Sequence, residues 1–161
     1  MAVFLTNNSK RFTDVSLSFE ANPVTGDLTT LLNERAINNA LKNLMMITPT
    51  EVPFQADIGS GIPSYLFETF DEVTADLISR EIERVIKLSE PRVELVPQID
   101  IMNITDDNTR YITGSESLKK AMNSVIVEPR PEQNTFVVTI TYKIVGYDQI
   151  ITFSHLLEPT R

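Results

Sequence analysis

One switch in apolar period constrains this chain more than any other feature. Over 29–46 and 73–89 the apolar side chains return every three or four residues, and beyond Arg92 they alternate. Between the two regimes stands Glu90-Pro91-Arg92. Proline lacks an amide hydrogen and forces the residue before it away from helical backbone angles, so the helix ends at this point. Helices first and strands afterwards place the chain in the α+β class. The expected architecture is two main helices packed on a mostly antiparallel sheet, with a strand-rich C-terminal half and an open sheet edge.

Residues 1–26 read as a polar N-terminal arm with one short alternating piece, VSLSF, whose Val15, Leu17 and Phe19 would share one face of a strand. Asn22-Pro23 and Gly26 break the chain, and Asp27 is a suitable N-cap near the start of the first helix. From Thr29 to Met46, the residues Ala36, Ile37, Ala40, Leu41, Leu44 and Met45 fall on one helical stripe. Thr48-Pro49 ends that helix, and PSYLFE is expected to form a helical turn that buries Leu66 and Phe67.

A second helix over Val73 to Ser89 puts Val73, Leu77, Ile78, Ile82, Val85 and Ile86 on one face, with Asp76, Arg80, Glu83 and Lys87 mostly outside. The strands are carried by VELVPQIDIMNI, with Ile99 and Ile101 in its alternation, and by SVIVEP, TFVVTITYKIVG and YDQIITFSHLL. Turn chemistry joins them at EPRPEQN and VGYDQ. The whole chain, 1–161, is read as a single domain with a helical half at 27–91 and a sheet half at 92–161. A polar excursion at about 103–123 interrupts the sheet half, with a short helix expected at Glu116 to Met122.

Composition removes several function classes. A net charge of -8 and the absence of any Lys/Arg cluster argue against a nucleic-acid partner, because phosphate binding depends on clustered cations. Without cysteine, neither a disulfide nor a thiolate metal site is possible, which fits synthesis in a reducing cytoplasm. The N-terminal MAVFLTNNSKRF lacks the apolar core of a signal peptide, and no run approaches the roughly 20 apolar residues of a membrane span. No membrane partner and no processing are expected.

Catalytic and cofactor signals are weak. The single histidine, His155, follows Ser154 in a strand pattern, and neighbours on a strand point to opposite faces, so the two cannot act as base and nucleophile. Asp106 and Asn108 have calcium-loop spacing without the glycine required at the sixth position. Gly59-Ser60-Gly61 lacks the lysine of a phosphate loop and the third glycine of a dinucleotide fingerprint, and reads as loop flexibility. Glu68, Asp71 and Glu72 could supply a glycosidase pair only if one of them sat in an apolar cleft. No catalytic residue, metal or cofactor is therefore assigned.

Glu90-Pro91-Arg92 recurs as Glu128-Pro129-Arg130, which reads as part of a hairpin loop. For the first copy, a bland reading has Pro91 stop the helix and Arg92 pair with any nearby acid. A sharper one has Arg92, held at a rigid corner, offer its planar fork to a carboxylate or carbonyls of a neighbouring chain.

Taken together, FTDVSLSF, ERAINNALKNLMMITPTEVPF, FQADIGSGIPSYLFE, DLISREIERVIKLSEPR and the strand-rich remainder resemble a known family. It comprises the baseplate wedge subunits of contractile-tailed bacteriophages that initiate the tail sheath, with counterparts in type VI secretion systems. The resemblance implies a structural, non-enzymatic subunit made in the host cytoplasm and placed in the virion's tail baseplate. It implies wedge-core contacts through Glu90, Pro91 and Arg92, and a sheet edge that templates the first ring of tail sheath protein by strand addition. Glu128-Pro129-Arg130, with no helix before it, inherits no such role. Some family members have carried a lysozyme label, so a cell-wall glycosidase is the alternative. The excursion at about 103–123 departs from the family's compact pattern.

Overall fold

The computed structural model describes residues 11–16, 18–97 and 123–159. The expectations for Leu17, for Ile99 and Ile101, for the helix at Glu116 to Met122 and for all but the end of the polar excursion lie outside the described residues.

The first described element is a hairpin. Strand β1, Thr13–Val15, pairs antiparallel with β2, Thr30–Leu32. Asn22 turns the chain by accepting the amide of Val24 on its side chain and that of Gly26 on its carbonyl. Helix α1 consequently runs over Glu34–Met46, five residues later than its apolar period alone predicts, and Asp27 does not cap it. Long-range pairing of Thr30–Leu32 with β1 overrides helical propensity there. Asn33 marks the junction, yet its side chain caps nothing: Oδ1 accepts the amide of Phe12 at 3.1 Å, tying hairpin to helix.

Helix α1 buries Ala36, Ile37, Leu41 and Met45 as its spacing requires. A short helix α2, Ile62–Tyr65, buries Ile62, with Leu66 buried just beyond it. Phe67, expected inside, is exposed instead, because the turn points Leu66 and Phe70 inward, Phe70 packing on Phe136 with ring centroids 4.8 Å apart. Gly59 and Ser60 are not flexible. Gly59 has φ +124, and a Cβ there would lie 2.7 Å from the carbonyl oxygen of Ile47. The fully buried Ser60 donates its hydroxyl to the carbonyl of Met45 at 2.7 Å, and the Gly61 amide donates to Glu81 Oε1. The glycine is required because two backbones touch.

Helix α3, Glu72–Ser89, starts at Asp71, whose carboxylate accepts the amide of Thr74 at 2.8 Å. Its buried face is Ala75, Ile78, Ile82, Val85 and Ile86. Val73 and Leu77, expected on that face, are exposed. Consecutive helical residues are about 100° apart, so Leu77 is turned well away from Ile78, and Val73 lies one turn behind Leu77 on the outer side.

Three short strands organise around one long one. Strand β5, Thr135–Ile144, pairs along one edge with β6, Ile150–Leu157. Its other edge carries β3, Val93–Leu95, and β4, Val125–Arg130, placed end to end; every pairing is antiparallel. Phe136, Val138, Ile140, Tyr142 and Ile144 project from β5 into the core, where α1 and α3 cover them. Each such side chain stabilises the fold by roughly 1.5–3 kcal/mol. The second Glu-Pro-Arg falls within β4 rather than in the hairpin loop, which is a 3-10 turn at Pro131–Gln133 followed by left-handed Asn134. Glu128 and Arg130 are exposed, while Pro129 stands opposite Phe136.

Both β3 and β4 end at the same residue of β5. The Val96 amide donates to the carbonyl of Thr141 at 3.0 Å, and the Thr141 amide donates to the carbonyl of Ser124 at 2.8 Å. Val96 and Ser124 thus occupy one slot, and the two strands are a single edge strand interrupted opposite Thr141. Removing residues 97–124 and joining Val96 to Val125 is expected to restore one continuous strand. Circular dichroism of that variant should show a single cooperative unfolding transition; its absence would mean the interruption is integral to the fold.

Candidate functional site

The corner after α3 is built from its backbone outward. The Glu90 amide continues the helix by donating to Ile86, and the Val93 amide donates back to the Glu90 carbonyl at 3.2 Å. Glu90 to Val93 is thus a β-turn with Pro91 in its second position, where the fixed φ of proline is already suitable. The Arg92 carbonyl then accepts the Val145 amide at 2.9 Å, which joins the corner to the far end of β5. Four hydrogen-bonding groups hold the backbone, so the arginine stem leaves the fold from a fixed point.

Its side chain turns back on its own triplet. Arg92 Nε lies 2.6 Å from Glu90 Oε1 and Nη2 lies 2.6 Å from Oε2, a two-point fork, with a longer 3.3 Å contact from the Arg92 amide. Glu90 is almost wholly buried at 4% exposure, whereas the arginine side chain keeps 31%. The guanidinium carbon sits 5.6 Å from the ring centre of Phe12, a cation-π contact with the N-terminal hairpin. The hydrogen bonds that Arg92 donates to Glu90, followed by the nearby charges of Glu90 and Asp14, raise the arginine pKa further against the opposing effect of burial. Nη1 is left uncommitted among the described residues.

Within reach of the Glu90 charge, fully buried Tyr142 donates its hydroxyl to Asn38 Oδ1 at 2.6 Å. Burial, together with the negative charges of Glu34 and Glu90, pushes the tyrosine pKa far up. The hydroxyl therefore stays protonated and remains a donor. Period and motif had marked Glu90, Pro91 and Arg92, and all three stand together at one corner. Phe12, Asn33 and Asn38 were missed, since their partners are distant in sequence and no local spacing signals them.

The other candidates are separate. Glu68, Asp71 and Glu72 are exposed around the start of α3. Asp71 has its pKa lowered by the Thr74 amide, the reverse of what a glycosidase acid requires. His155 is half-buried on the inner side of β6 and stacks on Phe153, while Ser154 faces outward. Among the described residues no three His, Asp or Glu side chains gather as metal ligands would, and no helix is long and apolar enough to cross a membrane.

A family model described as baseplate wedge protein gp25 matches residues 26–113, a span that includes α1, α3 and the corner. Baseplate wedge protein gp25 of Enterobacteria phage T4 is 28% identical over 86 residues, which are 53% of this chain. The chain spans 64% of the length of that curated relative. Among solved structures, a putative tail lysozyme from Geobacter sulfurreducens superposes with a TM-score of 0.54 at 18% identity, covering 78% of this chain and 89% of that one. A chain of the anti-feeding prophage baseplate superposes with a TM-score of 0.52 at 16% identity, covering 94% and 88% respectively. At such identities the two structures are alike in fold alone.

Burial, reinforced by Lys42, lowers the His155 pKa below its ordinary 6.5. The unfolded chain takes up this proton first, so the stabilisation is complete above pH 6.5 and is lost as pH falls through the lowered folded value. Urea midpoints measured from about pH 7.5 to about pH 5.5 should fall less steeply in His155→Gln than in the native chain. Equal slopes would remove His155 from the pH response.

Proposed function

The chain belongs to the baseplate wedge protein gp25 family, and from that premise we propose that it is a non-enzymatic structural subunit of a contractile-tail baseplate. Made in the host cytoplasm, it enters the virion by docking to other wedge proteins at Glu90, Pro91 and Arg92, and it offers a sheet edge to tail sheath protein. The observation that carries this reading is the rigid corner inside the matched span. It holds the Nε–Nη2 edge of a guanidinium in an internal ion pair while the arginine side chain keeps 31% exposure, which suits Nη1 to an acceptor on a neighbouring chain.

The sheath role is supported by β6. Its inner edge is fully paired with Phe136 to Lys143, and among the described residues no strand lies along its outer edge. An incoming strand would gain main-chain hydrogen bonds there, and the outward Thr152, Ser154 and Leu156 would set its fit.

The non-enzymatic reading is supported by the exposed, helix-capping setting of Asp71 and the exposed positions of Glu68 and Glu72. Pure protein should leave the turbidity of a peptidoglycan suspension unchanged. Clearing that is lost in Glu68→Gln would instead establish the glycosidase alternative.

Docking and folding can be separated by design. Arg92→Ala strands a buried carboxylate and should cost about 3 kcal/mol, reduced where the exposed arginine is already screened by water. Glu90→Met/Arg92→Met removes both charges and should unfold within about 1.5 kcal/mol of the native chain. The double variant should nevertheless fail to form tails. Tails assembled at the native yield by that stable double variant would contradict the docking role.

A further inference from the structure

The loop from α1 to α2 holds one bulky residue in a backbone conformation that suits glycine. Val52 to Gln55 is a β-turn, closed by the Gln55 amide on the Val52 carbonyl at 3.3 Å, with Pro53 in its second position and Phe54 in its third. Phe54 has φ +66, a left-handed angle that glycine adopts freely and that a bulky side chain adopts only at a cost. Packing within the fold does not offset that cost, because Phe54 is 106% exposed. Strain of this kind persists where the surrounding structure over-determines it, and it gathers at sites of function.

The surroundings do fix it. The Thr50 amide donates to the Ala56 carbonyl at 3.0 Å, which closes a ring around the turn. Before the turn, Glu51 accepts both the amide and the hydroxyl of Thr48 at 3.0 Å. After it, the Ile58 amide donates to the Gln55 carbonyl at 3.2 Å, and the Ser60 amide donates to Ile47 at 2.7 Å. With Gly59 pressed against the Ile47 carbonyl, the loop is pinned at the end of α1. Phe54 is its projecting aromatic tip, and a side chain with two rotatable bonds on a fixed backbone loses little freedom on docking.

The loop has charges of one sign only. No lysine, arginine or histidine lies between Lys42 and Arg80. Glu51 and Asp57, on either side of Phe54 in the sequence, are exposed, and among the described residues neither is in an ion pair.

We propose that Phe54 is an anchor that inserts into an apolar pocket with a basic rim on another wedge protein. This rests on the baseplate reading above and adds a contact to the one at the Glu90–Arg92 corner. A single projecting ring matches a pocket, and aromatic side chains buried in this way dominate binding at protein interfaces. The two unpaired carboxylates match lysine or arginine at the rim of that pocket. A second copy of a chain with a net charge of -8 is a poor host, and an anionic lipid surface repels the same carboxylates.

The test uses the full chain. Phe54→Gly relieves the strain and removes a side chain that the fold does not pack, so its thermal midpoint should equal or exceed the native one. The same variant should enter assembled particles about ten-fold less well or worse, and Asp57→Lys about three-fold less well or worse. With the photoreactive residue p-benzoylphenylalanine in place of Phe54, irradiation of particles and mass spectrometry should give adducts to one segment of another wedge protein, with lysine or arginine beside the labelled residue. A midpoint lowered by more than about 2 °C in Phe54→Gly would assign the ring to the fold and overturn the proposal. Native incorporation of either variant, adducts to a second copy of this chain, no adducts in particles that contain the chain, or Phe54-dependent flotation of pure protein on phosphatidylserine vesicles would each overturn it as well. Particles found to lack the native chain would overturn the baseplate reading and this inference together.

Discussion

A carboxylate taken out of water must be given back its hydrogen bonds, and Glu90 is such a carboxylate. Arg92 supplies two of them, and only a turn of fixed geometry brings the fork into reach two residues later. The turn is available because Pro91 ends α3 and presets its own backbone angle. Once the pair forms, α3, the start of β3, the far end of β5 and the hairpin residue Phe12 are held at one point. Tyr142 is near enough to feel the Glu90 charge, and its own hydroxyl is satisfied by a neutral hydrogen bond to Asn38. An exposed surface built on such a corner can be held out rigidly. That quality suits a docking point in a large assembly, where each freely moving side chain would lose entropy on binding.

The sheet shows a different economy. A strand interrupted opposite Thr141 keeps its ladder on both sides of the break, so the fold tolerates added chain at that position without losing the core. The entropy of closing a long excursion grows slowly with its length, and the paired ends fix where it must begin and finish. The edge on the other side, along β6, has no such interruption. One edge of β5 thus accommodates added chain, and among the described residues no strand pairs beyond β6.

Much of this was legible in the sequence. The α+β class, α3 and its inner residues Ile78, Ile82, Val85 and Ile86, and the helix-to-strand corner follow from apolar spacing and from Pro91. What was not legible depends on contacts between distant residues. The start of α1 moved because Thr30–Leu32 pairs with Thr13–Val15. Val73 and Leu77 were placed inside because they are apolar, although the 100° step puts them beyond the edge of the buried arc. Gly59 and Gly61 looked like loosening residues, and only the approach of Ile47 and Glu81 shows that they are packed. The partner of Arg92 was two residues away. Nothing in the spelling of Glu-Pro-Arg distinguishes a fork that closes on itself from one that reaches outward, and Glu128-Pro129-Arg130 lies flat in a strand.

The central claim is that the Glu90–Arg92 pair is a preformed mount whose exposed side meets another wedge protein. A cryo-electron microscopy reconstruction of the assembled baseplate, resolved to side chains around this subunit, tests it most directly. The expected map keeps the Glu90–Arg92 fork intact and places a carboxylate or main-chain carbonyl of a neighbouring chain within hydrogen-bonding distance of Arg92 Nη1. A map in which this corner faces solvent, with the wedge contacts made elsewhere, would contradict it.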